Sequence, residues 1–323
     1  MRKNILVLGA TGFIGTNLCA KLKKEGHFVV GADIKKNDFD YTPAHEYYYG
    51  DLSDKRFMDR CFSVYQFDEI YQLAADMGGA GYIFTGDNDA NIMSNSSAIN
   101  INLCTLLANI NYKGKVFYSS SACIYPEHAQ TDYNNTGLSE HDAYPANPDS
   151  NYGWEKLFSE RLYMAYAKNY GLDVRIARFH NIFGEYSTYK GGKEKAPAAM
   201  CRKVAEATSE VEVWGSGKQT RSFLYIDECL EGIERLMNSD FKHPINIGSS
   251  ELISINDLAK MVIEISGKDL TIKNVHSNAI GVLGRNSDNT LIEQKLGWKP
   301  TKPLKDGMVK LYLWVEKQIQ NAT

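Results

Sequence analysis

Tyr152-Gly153-Trp154-Glu155-Lys156 sets a phenol and an ammonium four residues apart in a stretch of helical pattern. Positions i and i+4 share a helix face, so the ammonium is expected to lower the phenol's pKa from its ordinary ~10 towards the range of a working base. Ser119-Ser120-Ser121 ends an apolar run upstream, and Ser121 would complete a Ser/Tyr/Lys set by hydrogen bonding a reacting hydroxyl. In a chain with 20 tyrosines this spacing also arises by chance, so its weight comes from position: the chain opens with a glycine loop. That loop, Gly9-Ala10-Thr11-Gly12-Phe13-Ile14-Gly15, follows the run Asn4-Ile5-Leu6-Val7-Leu8 and precedes a helical pattern. A dinucleotide needs glycines there, for a tight turn and for close approach of the pyrophosphate to the helix N-terminus. Gly9, Gly12, Phe13, Ile14 and Gly15 are the expected contacts. Asp33 closes the second apolar run, where a carboxylate accepts from ribose hydroxyls and repels a 2′-phosphate. NAD is therefore expected over NADP, although Lys35 and Lys36 follow closely. Asp51, Leu52 and Ala74 sit at two further run ends, as an adenine contact and a close-approach surface.

These groups need elements that bring them to one edge. Apolar runs at 27–33, 69–73, 115–119 and 173–179 alternate with helical patterns at 13–25, 91–111 and 152–170. Strands with no polar alternation, separated by helices, describe a parallel sheet buried on both faces. The expected fold is α/β, a doubly wound parallel sheet (Rossmann-like) with a smaller C-terminal substrate lobe. Residues 1–180 would bind the dinucleotide and 181–323 the substrate. A return segment near 215–250 would interleave the two, because Ile245-Asn246-Ile247-Gly248 reads as a further sheet strand. Pro197 is expected to open a helix running through Ala207.

Composition excludes several classes. The 323 residues carry 36 Lys plus Arg against 39 Asp plus Glu, a net charge of −3, without the basic excess of a nucleic-acid binder. No apolar run reaches the ~18 residues of a membrane span, and the first residues lack a signal-peptide core. The 6 cysteines form no Cys-x-x-Cys and the 7 histidines no His-x-x-x-His, so neither a metal site nor a disulfide framework is indicated. A cytoplasmic location is expected.

The glycine loop, the serine at the end of the fifth run and Tyr-x-x-x-Lys together resemble the extended short-chain dehydrogenase/reductase family, over essentially the whole chain. The resemblance implies NAD, a nucleotide-sugar substrate and a homodimer built on the 91–111 and 152–170 helices. Six blocks in order narrow it to the GDP-mannose 3,5-epimerase branch: 75–79, 119–127, 178–182, 190–199, 219–223 and 284–288. Such an enzyme oxidises C4 of the sugar, because a ketone there acidifies the C–H bonds at C3 and C5. By resemblance Cys123 and Lys195 are the proton-transfer pair on those carbons, and a thiol of ordinary pKa ~8.5 suits that work. The 4,6-dehydratases carry an Asp-Glu pair where this chain has Ala122-Cys123, so dehydration lacks its acid. Arg221 and Arg285 are candidates for the diphosphate, since guanidinium forks match phosphate oxygens. Asn181 and Lys203 are further substrate contacts, and Met77, Gly78 and Gly79 begin a loop over the sugar. Leu283 and Lys193 replace arginines and Tyr189 a tryptophan of the plant-type enzymes, which leaves the exact sugar open. The alternatives are a GDP-sugar 4-epimerase or 4-dehydrogenase, an epimerase of C3 or C5 alone, and an NAD-binding regulator.

Overall fold

The computed structural model describes residues 1–39, 41–135, 137–277 and 281–322. Its centre is a parallel sheet of β1 (Asn4–Leu8), β2 (Phe28–Asp33), β3 (Glu46–Tyr49), β4 (Glu69–Gln72), β5 (Lys115–Ser121) and β6 (Asp173–Phe179). The intervening helices are α1 (Phe13–Lys24), α2 (Lys55–Cys61), α3 (Ala80–Ile83), α4 (Asp89–Asn109) and α5 (Asn151–Tyr170). Beyond them come β7 (Ile182–Phe183), α6 (Ala196–Glu206), β8 (Glu210–Trp214), β9 (Thr220–Ser222), β10 (Leu224–Tyr225), α7 (Ile226–Asn238) and β11 (Ile245–Ile247). The chain ends with β12 (Leu252–Ser254), α8 (Ile255–Ser266), β13 (Thr271–Val275), β14 (Gly284–Arg285), α9 (Thr290–Leu296) and α10 (Leu304–Ala322).

The sheet runs β11-β6-β5-β4-β1-β2-β3. Its order reverses between β1 and β4, which in a doubly wound fold opens a crevice at the carboxyl edge. Ile245–Ile247 does return to this sheet, pairing in parallel with β6. Successive residues of β1 serve opposite faces: Ile5 and Val7 join one core cluster, Leu6 and Leu8 another. That is why these strands show no polar alternation. The first of those clusters continues through Val211, Leu258 and Met308, so the lobe shares its core with one face of the sheet. In the lobe, β12-β9-β14, β13-β8 and β10-β7 form small sheets, and α6, α8 and α10 pack together.

Helix ends fix the chemistry-bearing residues. Ser150 caps α5, its side chain accepting from Gly153 N–H, and Gly171 closes the helix in the left-handed conformation. Tyr152 and Lys156 therefore lie within the first two turns, directly over the end of β5. Lys195 is the N-cap of α6, one residue before the helix that Pro197 was expected to open.

Candidate active site

At the carboxyl edge lies a cleft of about 940 Å³. Every site residue singled out from the sequence lines it, from Gly9, Gly12, Phe13, Ile14 and Gly15 to Arg221 and Arg285.

The glycine-loop half follows from four strand ends. A Cβ on Gly15 would stand 2.0 Å from Gly9 O, so only glycine lets the first turn of α1 close onto the loop. Asp33 is tied in by backbone donors: Thr11 N–H reaches Oδ2 at 2.9 Å and Ile34 N–H reaches Oδ1 at 2.7 Å. Lys35, which left NADP open, pairs instead with Asp38 at 2.5 Å. Buried Leu52 and exposed Asp51 flank this end, with Ala74 beside the loop. Glycines at the helix start and a carboxylate at the second strand end fit a dinucleotide whose ribose hydroxyls are free.

At the other end, Ser121 Oγ accepts from Cys123 N–H at 3.2 Å, turning the chain out of β5 so that the thiol reaches the cleft. Gly153 makes the next contact possible, since a Cβ there would stand 2.1 Å from Cys123 O. Tyr152 packs with Met77, Ile83, Ile92 and Cys123. Lys156 Nζ donates to Ser119 O at 3.1 Å and lies 5.6 Å from the Tyr152 ring. The expected lowering of the phenol is not what results. Burial pushes Tyr152 up, with Cys123 and Glu155 adding to it and a hydrogen bond with Ser121 opposing. Burial likewise pushes Lys156 down. Desolvation outweighs an ammonium whose hydrogen bond goes to a strand carbonyl rather than to the phenol.

Lys195 also faces this end. Burial lowers its pKa, Cys123 and Cys229 raise it, and Lys156 lowers it further, for a net downward shift. Cys123 is half-buried, whereas Cys19, Cys61, Cys104, Cys201 and Cys229 are all buried. Arg221 and Arg285 are register partners on β9 and β14. Burial pushes Arg221 down, and its neighbour Arg285 adds to that. An anion beside Arg221 would offset that shift, whereas Arg285, opposed by burial, is raised overall by Cys123 and Asp149. Arg285, however, is not remote from the thiol as a diphosphate clamp would be. Its Nη1 donates to Cys123 Sγ at 3.1 Å, while Nη2 and Nε are held by Asp149 and Gln130. The sequence reading missed those two partners. Asp149 had a signal, an acid immediately before the cap of the Tyr152 helix. Gln130 had none.

Asn181, at positive φ, donates to Ser222 O. Lys203 donates to Glu212 O at 2.8 Å and lies over Trp214, a cleft aromatic that the sequence reading also missed. Gly79 N–H donates to Lys193 O at 3.0 Å, joining the 77–84 and 190–195 segments over the cleft. Tyr189 packs instead with Phe39 and Trp314 and is not among the cleft-lining residues.

The family described as NAD dependent epimerase/dehydratase matches residues 5–248. A GDP-mannose 3,5-epimerase 1 of Oryza sativa subsp. indica is 47% identical over 319 residues, 98% of this chain and 82% of the relative. The GDP-mannose 3,5-epimerase of Arabidopsis thaliana is likewise 47% identical, over 98% of this chain and 83% of its own. Among solved structures, a UDP-glucuronic acid 4-epimerase of Bacillus cereus, in complex with UDP-glucuronic acid and NAD, has a TM-score of 0.81. It is 25% identical and is matched over 98% of this chain and 99% of that one. With a glycine-loop half that accommodates NAD, the chain belongs to the NAD dependent epimerase/dehydratase family.

Proposed function

We propose that the chain is an isomerase, an NAD-dependent 3,5-epimerase of GDP-mannose. The observation that carries this is Cys123: a half-buried thiol in the cleft, between the Ser/Tyr/Lys set and Arg285, with Lys195 facing it. A 4-epimerase or 4-dehydrogenase has no task for such a thiol. The relatives at 47% identity, GDP-mannose 3,5-epimerases by name, supply the substrate.

Gly9, Gly12, Phe13, Ile14, Gly15 and Asp33 would hold NAD, which would supply reversible hydride acceptance at C4, so that no external redox partner would be consumed. Tyr152, as phenolate, accepts the C4 hydroxyl proton, Ser121 orients that oxygen, and the Lys156 ammonium, 5.6 Å from the ring, favours the phenolate against the burial that opposes it. The ketone acidifies C5–H and C3–H. Cys123, as thiolate beside the Arg285 cation, removes the proton from one ring face, and the Lys195 ammonium supplies one to the other. Exchange of the pair with water resets it between the two carbons. Arg221 receives the diphosphate, and Asn181 and Lys203 hold the rest of the nucleotide sugar. Residues to about 180, with the β11 return, form the NAD part, and the remainder forms the sugar-nucleotide part. Ile101, Trp154 and Phe158 are exposed on the packed helices α4 and α5, which supports a homodimer through these helices. A free working thiol suits the reducing cytoplasm.

Replacing Cys123 with Ala tests the reading. GDP-mannose added to the variant still converts part of the bound NAD to NADH, seen by absorbance, because Ser121, Tyr152 and Lys156 are untouched. In D₂O, incorporation at C5 and C3 falls by ~10²–10⁴. Near-native exchange at both carbons would return Cys123 to packing and favour a 4-epimerase.

A further inference from the structure

Arg285 is a buried cation held on all sides. Nε donates to Gln130 Oε1 at 2.5 Å and Nη2 to Asp149 Oδ2 at 2.5 Å, leaving Nη1 directed at Cys123 Sγ, 3.1 Å away. Gln130 is itself locked, its amide donating to the carbonyls of Tyr125 and Pro126. A guanidinium is planar and rigid, so fixing two of its corners fixes the third.

Asp149 does more than neutralise. Its other oxygen accepts from Ser150 Oγ at 3.0 Å, and that hydroxyl accepts from Gly153 N–H to cap the helix carrying Tyr152 and Lys156. One carboxylate therefore ties the arginine at the thiol to the start of the tyrosine helix. Its side chain is 4% exposed and it does not line the cleft. Burying a carboxylate is costly unless it is fully paired, and here the pairing leads to Cys123.

We infer that Asp149 is a positioning residue for proton transfer at carbon, holding the Arg285 guanidinium against the Cys123 sulfur in register with the Tyr152 helix. The inference rests on the reading of Cys123 as the carbon base. Charged and titratable groups facing that thiol are Arg285, Arg221, Lys195, Lys156 and Tyr152, with Asp149 behind Arg285.

Asp149→Ala and Asp149→Asn separate a tether from a mere counter-charge. Both remove the same anion, which alone would favour the thiolate. Only alanine also removes the acceptor that holds Nη2. The measurement is the pH dependence of Cys123 alkylation by iodoacetamide, followed by peptide mass spectrometry on the NAD-loaded enzyme. The other five cysteines are buried and serve as unlabelled internal controls. The alkylation midpoint of Asp149→Ala should lie about 1 pH unit above that of Asp149→Asn, the order expected when an opposite charge leaves contact. Deuterium entry at C5 should fall about tenfold in the alanine variant at neutral pH, a loss of ~1.4 kcal/mol, with NADH formation from GDP-mannose kept. Equal midpoints in the two variants, or an Asp149→Ala midpoint below that of Asp149→Asn, would overturn the proposal. Gln130→Met loosens the opposite flank of Arg285 without changing any charge and guards against an alanine variant that fails to fold. It too should raise the midpoint, and an unmoved midpoint there counts against the tether. Native enzyme that labels as expected but places no deuterium on either carbon would sink the epimerase reading. The purpose assigned to Asp149 would fall with it, while the thiol–guanidinium arrangement would stand.

Discussion

The two halves of the cleft are built differently. The glycine-loop half comes from the ends of β1, β2, β3 and β4, neighbouring strands of one sheet, and its key contact joins Thr11 to Asp33 across a single βαβ unit. The thiol half gathers Cys123 from the turn after β5, Tyr152 from α5, Lys195 from the cap of α6 and Arg285 from β14 in a separate sheet. The first half inherits its precision from the sheet, whereas the second must be assembled by long-range pairings such as Arg285 with Cys123. Dinucleotide binding is consequently a property of the fold, and the reaction is a property of what the lobe brings to it.

If that division is right, damage to one half should leave the other's measurement intact. Lys195→Met carries the largest expected effect: deuterium entry at C3 and C5 falls by ~10²–10⁴, with NAD affinity and NADH formation unchanged. Burial lowers the Lys195 ammonium, so its proton is lost as pH rises through a value below the usual lysine range. Native exchange should accordingly decline on the alkaline side before an ordinary lysine would titrate. A rate that holds level up to the ordinary lysine pKa of ~10.4 would exclude Lys195 as the acid. On the other side, Asp33→Ala should weaken NAD about tenfold, as loss of charge-assisted hydrogen bonds to the ribose does, and relax discrimination against NADP. Thiol alkylation at Cys123 should not change. An unaltered NAD/NADP ratio measured by calorimetry would remove Asp33 from the ribose.

The same division explains what is legible in the sequence alone. The sheet could be read because Ile5 through Leu8 are buried on both faces and so lack alternation, and the glycine loop because its demands are local. Ser121, Tyr152 and Lys156 were legible as a set by their place at the ends of β5 and the start of α5. The direction of the Tyr152 shift was not, since burial is a tertiary quantity and a four-residue spacing says nothing about it. The partners of Arg285 were equally hidden: Asp149 lies 136 residues away and Gln130 155. No local pattern encodes such pairings. Strands as short as β7, β10 and β14, two residues each, fall below any periodicity.

The segment over the cleft gives the smallest effect and the finest test of the division. Lys193 is half-exposed, lies 3.8 Å over the Tyr82 ring and stands 3.6 Å from Asp76, which itself accepts from the Tyr82 hydroxyl. These contacts fasten the 190–195 segment onto the 77–84 loop, alongside the backbone bond from Gly79 to Lys193. The loop's apolar residues Met77 and Ile83 pack with Tyr152 and Cys123, so it belongs to the thiol half by contact. An exposed cation–π contact is worth ~0.5–1 kcal/mol, which sets the change at about two- to fivefold. Lys193→Met keeps the stem and loses the charge. The Michaelis constant for GDP-mannose should rise by that factor, kcat should stay within about twofold, and NAD affinity should not move. Lys193→Arg, with a planar cation over the same ring, should restore the constant. If NAD affinity fell in step with GDP-mannose, the loop would serve both halves of the cleft, and the division between them would end at β4 rather than at this loop.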